Sequence, residues 1–185
     1  SYIIYMVLFR SKQRSMHQRI LLGMSIVDVV VSSWHMLGPL PVVEGFSLYR
    51  GARGTTATCS LGGFITQQTI SRLYYNASLV LHFVLTIRYG YKDEQLARLE
   101  KCVHAFCILI PFGQAIAGLF LEVYNPAGMA LTVCYAAHFP PGCHQMEGVE
   151  CRRGTQAKIF ALVCLGIPAI FFFLFLYVAV FLVYW

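Results

Sequence analysis

The chain has 185 residues, of which 58% are hydrophobic and 12% are charged, and its mean hydropathy is +0.64. Soluble domains carry about 25% charged residues, so this composition excludes an ordinary water-soluble protein. The formal net charge of +6 does not indicate nucleic-acid binding, because the basic residues cluster in short links between apolar runs, as they do in cytoplasmic membrane loops.

The first half of the chain alternates apolar runs with polar links. Residues 1–9 are apolar, but a membrane-spanning helix needs about 20 residues, so this run predicts only the tail of a truncated first helix. A basic link follows at 10–19. Residues 20–43 predict a second helix that ends near two prolines, and a polar link covers 44–58.

The run at 59–88 predicts the central helix, because 29 steps of 1.5 Å cover roughly 43 Å, about the thickness of a bilayer with its headgroups. A short charged loop, with room for one helical turn, leads to the next helix at 102–123. Residues 124–156 carry cysteines, prolines and mixed charge and predict a large aqueous loop. A last helix is predicted at 157–185. The fold class is therefore an all-α, polytopic helical membrane bundle.

The distribution of basic residues predicts which ends face the cytoplasm. The links at 10–19 and 88–101 hold eight lysines and arginines together, whereas five lie on the opposite side. Four cysteines fall on that opposite side, where an oxidising compartment lets disulfides persist: Cys59, Cys134, Cys143 and Cys151. Both signals predict a cytoplasmic face for the two basic links and an extracellular amino terminus.

Four cysteines allow three sets of pairs. We favour Cys59 with Cys134 and Cys143 with Cys151, because the second pair closes a short loop and the first ties that loop over the helices. Free thiols and a metal site are the alternatives. The metal site is disfavoured because the cysteines lack the paired short spacings of structural zinc sites, so no metal or cofactor is expected.

Two ionisable side chains lie inside the predicted helices, where a charge costs at least about 2.5 to 3.5 kcal/mol and needs a reason. Asp28 lies about 12 Å beyond Ile20 by helical rise and should face other helices. It is either a switch or cation site or a structural hydrogen-bond hub. Asn76 belongs to a glycosylation sequon, but its place inside the helix favours an interhelical hydrogen bond.

Arg72 is the second intramembrane charge, about 24 Å from Arg88 and hence in the outer half of the bilayer. Gln68 and other polar residues precede it, so a small polar or anionic extracellular ligand is one interpretation. The other interpretation is that Arg72 extends outward or pairs with Glu122, at the outer end of the following helix. We count Arg72, Gln68 and Glu122 as candidate ligand-binding residues.

No enzymatic activity is expected. The sequence has no phosphate-binding glycine-rich loop, no zinc-protease motif and no nucleophile elbow, and its carboxylates are too scattered to indicate an acid and base pair.

The chain resembles a seven-helix G-protein-coupled receptor, covered from the tail of its first helix to its fifth. The resemblance rests on Cys59 heading the central helix, Ile87-Arg88-Tyr89 ending it, Asp28 in the preceding helix, the cysteine-bearing loop and Pro168 in the last helix. The segments IRYGY and EKCVH are similar to those of the cyclic-AMP-receptor-like group of slime moulds and other protists.

The resemblance implies a plasma-membrane, multi-pass receptor that binds an extracellular ligand and activates a heterotrimeric G protein. Arg88, Tyr89 and Lys92 would then face the G protein. The alternative is a membrane transporter or channel with a polar site at Asp28 and Arg72, for which broken helices would be the expected sign.

Overall fold

The computed structural model describes residues 15–44, 51–126, 133–140, 143, 148–150 and 154–185. The predicted helix tail at 1–9 lies outside these residues. Helix α1 is Met16–His35. Ser15 caps it, since its Oγ accepts from the Gln18 amide while Gln18 Oε1 accepts from the Ser15 amide. The helix predicted at 20–43 was placed too late in the sequence at both ends. Turns begin at residue 36, and Gly38 has a positive φ of 56°.

The predicted central helix at 59–88 is two helices joined end to end, which we call the central rod. Helix α2 is Thr56–Gln67 and helix α3 is Thr69–Tyr89, with Gln68 between them. Thr55 caps α2. Gly90 ends α3 in the left-handed conformation, with φ 67°. The prediction of one unbroken helix was therefore wrong at Gln68.

Helix α4 is Asp93–Phe120, so the predicted start at 102 was nine residues late and the predicted end at 123 too far along. The charged segment is helical because two acidic residues occupy the first turn, where the helix dipole favours them. Gln95 Oε1 also accepts a hydrogen bond from the Lys92 amide at 2.9 Å. Leu96 is 4% exposed, so this first part of the helix is packed against the rest.

The last helix begins at Gly154, three residues before the predicted start of 157–185. It consists of α5 at Gly154–Ala161, a π-helical turn at Leu162–Gly166 and α6 at Ile167–Tyr184. Pro168 lies in the first turn of α6. Its ring has no N–H and would clash with the carbonyl four residues earlier, inside the π-helical turn, which explains the wider turn there.

The predicted aqueous loop at 124–156 contains an antiparallel hairpin, β1 at Tyr124–Pro126 and β2 at Cys134–Ala136. Tyr124 lies between α2 and α4 and donates a hydrogen bond to the Ala115 carbonyl at 3.2 Å. Its ring touches the backbone at Gly63 and Gly118, where any side chain would occupy the same space. The hairpin is therefore seated on the end of the helical bundle rather than lying free.

Helix α3 is the centre of the packing, since α1, α4 and α6 all contact it. Within the described residues, two helices are long and apolar enough to cross a membrane: α4 and the continuous helix Gly154–Tyr184. Neither α1 nor the central rod, both predicted as membrane helices, is among them. The break leaves α2 only 12 residues long, and polar side chains occur throughout α3. Ala179 is the one buried residue of α6, and a helix that is apolar on every face and exposed is suited to lipid.

Candidate functional site

The centre of the candidate site is the break in the central rod at Gln68. There the backbone hydrogen bonds join residues three apart, as in a 3₁₀-helix. The Gln68 amide donates to the Ile65 carbonyl, and the Ser71 amide donates to the Gln68 carbonyl, each at 3.0 Å. Polar and β-branched residues surround the break, and these favour a helix less than alanine or leucine does. The break turns several polar side chains toward the neighbouring helices.

The two predicted intramembrane charges lie together on one side of this break. Arg72 Nε is 3.0 Å from Asp28 Oδ1, and their side chains are 34% and 38% exposed. The Nε–H is not directed at the carboxylate oxygen, so the contact is an ion pair without an aligned hydrogen bond. Arg72 therefore pairs with Asp28, and not with Glu122, the partner considered in one interpretation of the sequence.

Glu122 does not lie near this pair. The two glutamines Gln67 and Gln114 are in hydrogen-bond contact across α2 and α4, which sets the relative height of the two helices. By helical rise, Glu122 lies above the contact between Gln67 and Gln114 and Arg72 lies below it, so the two residues are roughly 20 Å apart along the bundle. A small ligand at Arg72 would not reach Glu122, whose carbonyl instead accepts from the Asn125 side chain at 3.4 Å.

Three polar atoms beside the break have no hydrogen-bond partner among the described residues: Gln68 Nε2, Thr69 Oγ1 and Ser71 Oγ. Gln68 and Thr69 precede Arg72 by four and three positions and so share its side of the helix. Asn76, one turn further on, is exposed, and its Nδ2 donates to the Arg72 carbonyl of the same helix at 2.9 Å, so the predicted interhelical hydrogen bond was wrong. The pair and the unpartnered groups form what we call the outer polar site.

A hydrogen-bond chain that the sequence did not predict joins the hairpin to the break. The Tyr135 hydroxyl donates to Gln67 Oε1 at 2.9 Å, and Gln67 Nε2 donates to Gln114 Oε1 at 3.1 Å. Gln67 is fully buried. Burial raises the pKa of the Tyr135 hydroxyl to about 12, and Cys164 adds to the shift. The adjacent glutamines at 67 and 68 were the sequence signal for a polar contact at this point of the helix. Nothing in the sequence placed Tyr135 beside them.

The predicted disulfide between Cys59 and Cys134 is present, with the two Cα atoms 5.3 Å apart. It joins the first turn of α2 to strand β2 and thereby fixes the hairpin above the outer polar site. Cys143 is also disulfide-bonded, whereas Cys151, its predicted partner, lies outside the described residues. The cysteines of the helices, Cys102, Cys107 and Cys164, are free thiols.

The opposite end of the rod carries the residues assigned to a G protein. Arg88 and Tyr89 end α3 and are exposed, and Lys92 is exposed at the start of α4. Tyr89 is 59% exposed. These side chains are therefore available to a partner at the end of the bundle far from the outer polar site.

Comparisons with known proteins assign no family. No protein-family model, curated protein or solved structure matches the chain. The case for function therefore rests on the residues and their geometry.

Three further polar contacts were missed because each joins residues from different helices. Arg19 of α1 pairs with Glu100 of α4 at 2.6 Å, and Tyr75 meets His104 at 3.1 Å between oxygen and Nδ1. His82 Nε2 lies 3.3 Å from Asp93 Oδ1. Among the described residues, no group of three or more side chains is placed to hold a metal ion.

Proposed function

We propose that the chain forms part of a multi-pass signalling receptor that binds a small extracellular ligand and activates a heterotrimeric G protein. The observation that carries the proposal is the central rod. Its outer end is tied by a disulfide to the hairpin above a polar site, and its other end exposes Arg88 and Tyr89. The two consecutive helices of the rod thus carry polar groups for a ligand near one end and exposed groups for a partner at the other.

The resemblance to seven-helix receptors of the cyclic-AMP-receptor-like group belongs to this proposal. So do the plasma-membrane location and the extracellular amino terminus, which the eight-to-five distribution of basic residues favours. The exposed apolar surface of α4 and α6 supports the membrane setting, since monomeric soluble proteins rarely expose apolar patches of that extent.

Arg88→Ala tests the coupling half of the proposal. Ligand binding outside must shift an equilibrium between states that differ at the inner face, so a group that contacts the G protein changes coupling more than binding. In the full-length protein, Arg88→Ala should reduce agonist-stimulated nucleotide exchange by at least about tenfold at matched surface levels, with ligand affinity within a few-fold of wild type.

Arg98→Ala is the matched control, because Arg98 is an exposed arginine of the same inner face on α4. It should leave exchange close to wild type. Exchange that persists undiminished in Arg88→Ala, or that falls equally in both variants, would remove the specific role assigned to Arg88.

The break at Gln68 favours a second candidate, a transporter or channel. Transporters bind substrates where helices are interrupted near the middle of the membrane. Here the interruption is one tightened turn beside the Asp28 and Arg72 pair. Flux of a solute through reconstituted vesicles that needs no G protein and survives Arg88→Ala would favour this alternative over the receptor.

A further inference from the structure

The ion pair in the outer polar site limits the charge of the ligand. One interpretation of the sequence was that Arg72 suits an anionic or polar ligand. In the structure Asp28 already neutralises it at 3.0 Å. A simple anion that draws Arg72 away would leave the Asp28 carboxylate without its cation, and an uncompensated charge in the membrane is unfavourable. A simple cation bound at Asp28 would likewise leave the Arg72 guanidinium without its carboxylate partner.

We propose that the ligand of the outer polar site is a small zwitterion of the α-amino-acid type, an inference that rests on the receptor proposal. Such a molecule carries a carboxylate and an ammonium one carbon apart. It can enter between Arg72 and Asp28, with its carboxylate on the guanidinium and its ammonium on the carboxylate. Both protein charges then keep a partner of opposite sign.

Unpartnered groups around the pair match the two ends of such a ligand. Gln68 Nε2 is a donor without a partner, and Thr69 Oγ1 is free to donate; both lie one turn from Arg72 and suit a carboxylate. Asp28 Oδ1 accepts no aligned hydrogen bond from Arg72 and suits an ammonium. About one third of each charged side chain is exposed, so the pair can be reached and opened.

The test uses the full-length protein in lipid nanodiscs and each of the twenty L-α-amino acids as a separate probe, with binding measured by thermal stabilisation and by competition. Each amino acid that binds is compared with its N-acetyl derivative, which keeps only the negative charge, and its amide, which keeps only the positive charge. Removal of either charge should weaken binding by about tenfold, since each loses one ion pair at a partly exposed site.

Asp28→Asn separates this mechanism from a general loss of folding. The substitution removes the acceptor for the ammonium and frees Arg72, so the N-acetyl derivative should bind the variant as well as the free amino acid does. Asp93→Asn is the matched control, because it neutralises a carboxylate at the other end of the bundle. It should keep the wild-type preference for the free amino acid.

The possible failures are distinguishable. If no amino acid binds, or if the N-acetyl derivative binds wild type as tightly as the parent, the zwitterion inference is overturned. The receptor proposal would survive either result if another agonist still drives exchange through Arg88. If an amino acid binds with the expected charge preference but crosses the membrane without a G protein, the zwitterion site stands and the receptor proposal fails.

Discussion

Removing the disulfide between Cys59 and Cys134 should lower the stability of the bundle. The double variant Cys59→Ala and Cys134→Ala avoids leaving one buried thiol to form a new bond. Both cysteines are almost fully buried, and they pack with Val42 in a small apolar cluster. The variant therefore loses the covalent tether of the hairpin together with a little packing.

The magnitude follows from the length of chain that the bond closes. A separation of 75 residues removes about 15 cal/mol/K of entropy from the unfolded chain, which is about 4.5 kcal/mol at room temperature. This is an upper bound, because α3 and α4 lie between the cysteines and residual helix in the unfolded state already restricts the chain. We expect a loss of about 2 to 4 kcal/mol, within the usual range for a native disulfide.

The measurement is the midpoint of thermal unfolding in detergent, followed together with the amount of protein at the cell surface. For a chain of this size, 2 to 4 kcal/mol corresponds to a decrease of roughly 10 °C. Cys102→Ala is the control, since it removes an exposed free thiol. A double variant that unfolds within about 2 °C of this control would refute the view that the bond holds the hairpin on the bundle.

Two further predictions concern the hairpin. Gly118→Ala should destabilise the protein by about 1 to 3 kcal/mol, because the added methyl group collides with the Tyr124 ring. Gly113→Ala is the control: Gly113 lies in open space on the same helix, so this variant should be more stable than wild type by about 0.5 to 1 kcal/mol. A midpoint of thermal unfolding that shifts equally in both variants would contradict this prediction. Tyr135→Phe should cost about 1 to 3 kcal/mol by removing the donor to buried Gln67. Because the pKa of Tyr135 is raised to about 12, its contribution is complete below about pH 10 and is lost as the pH rises through about 12, so unfolding midpoints of wild type and Tyr135→Phe should converge across that interval.

The sequence was sufficient where one local signal decides the structure. The helical character and the two most apolar helices follow from hydropathy. The side on which each cysteine falls indicated disulfides, and the favoured pairing of Cys59 with Cys134 is the one that the structure contains. The start of α4 at Asp93 was also encoded locally, by two acidic residues in the first turn, but their charge was interpreted as a loop. Hydropathy located the apolar part of this helix and missed its amphipathic beginning.

The sequence was insufficient where the answer depends on how far one helix is shifted along another. Asp28 and Arg72 were each identified as intramembrane charges, yet their contact requires the register of α1 against α3. Contacts with the other half of the central rod, such as His35 of α1 with Thr66 of α2, 3.3 Å apart between Nε2 and Oγ1, likewise depend on how α1 lies along the rod. Helical rise gives depth within one helix only, and so it allowed the wrong partner, Glu122.

The bond between Cys59 and Cys134 also has a consequence for biosynthesis. Both α3 and α4 lie between the two cysteines. In the proposed topology they cross the membrane in opposite directions, so both thiols would reach the same compartment only after both helices had been inserted. If α4 failed to enter the membrane, Cys134 would stay in the reducing compartment and the bond would not form. In that topology, oxidation of this pair would record that the middle of the chain had been inserted in the membrane.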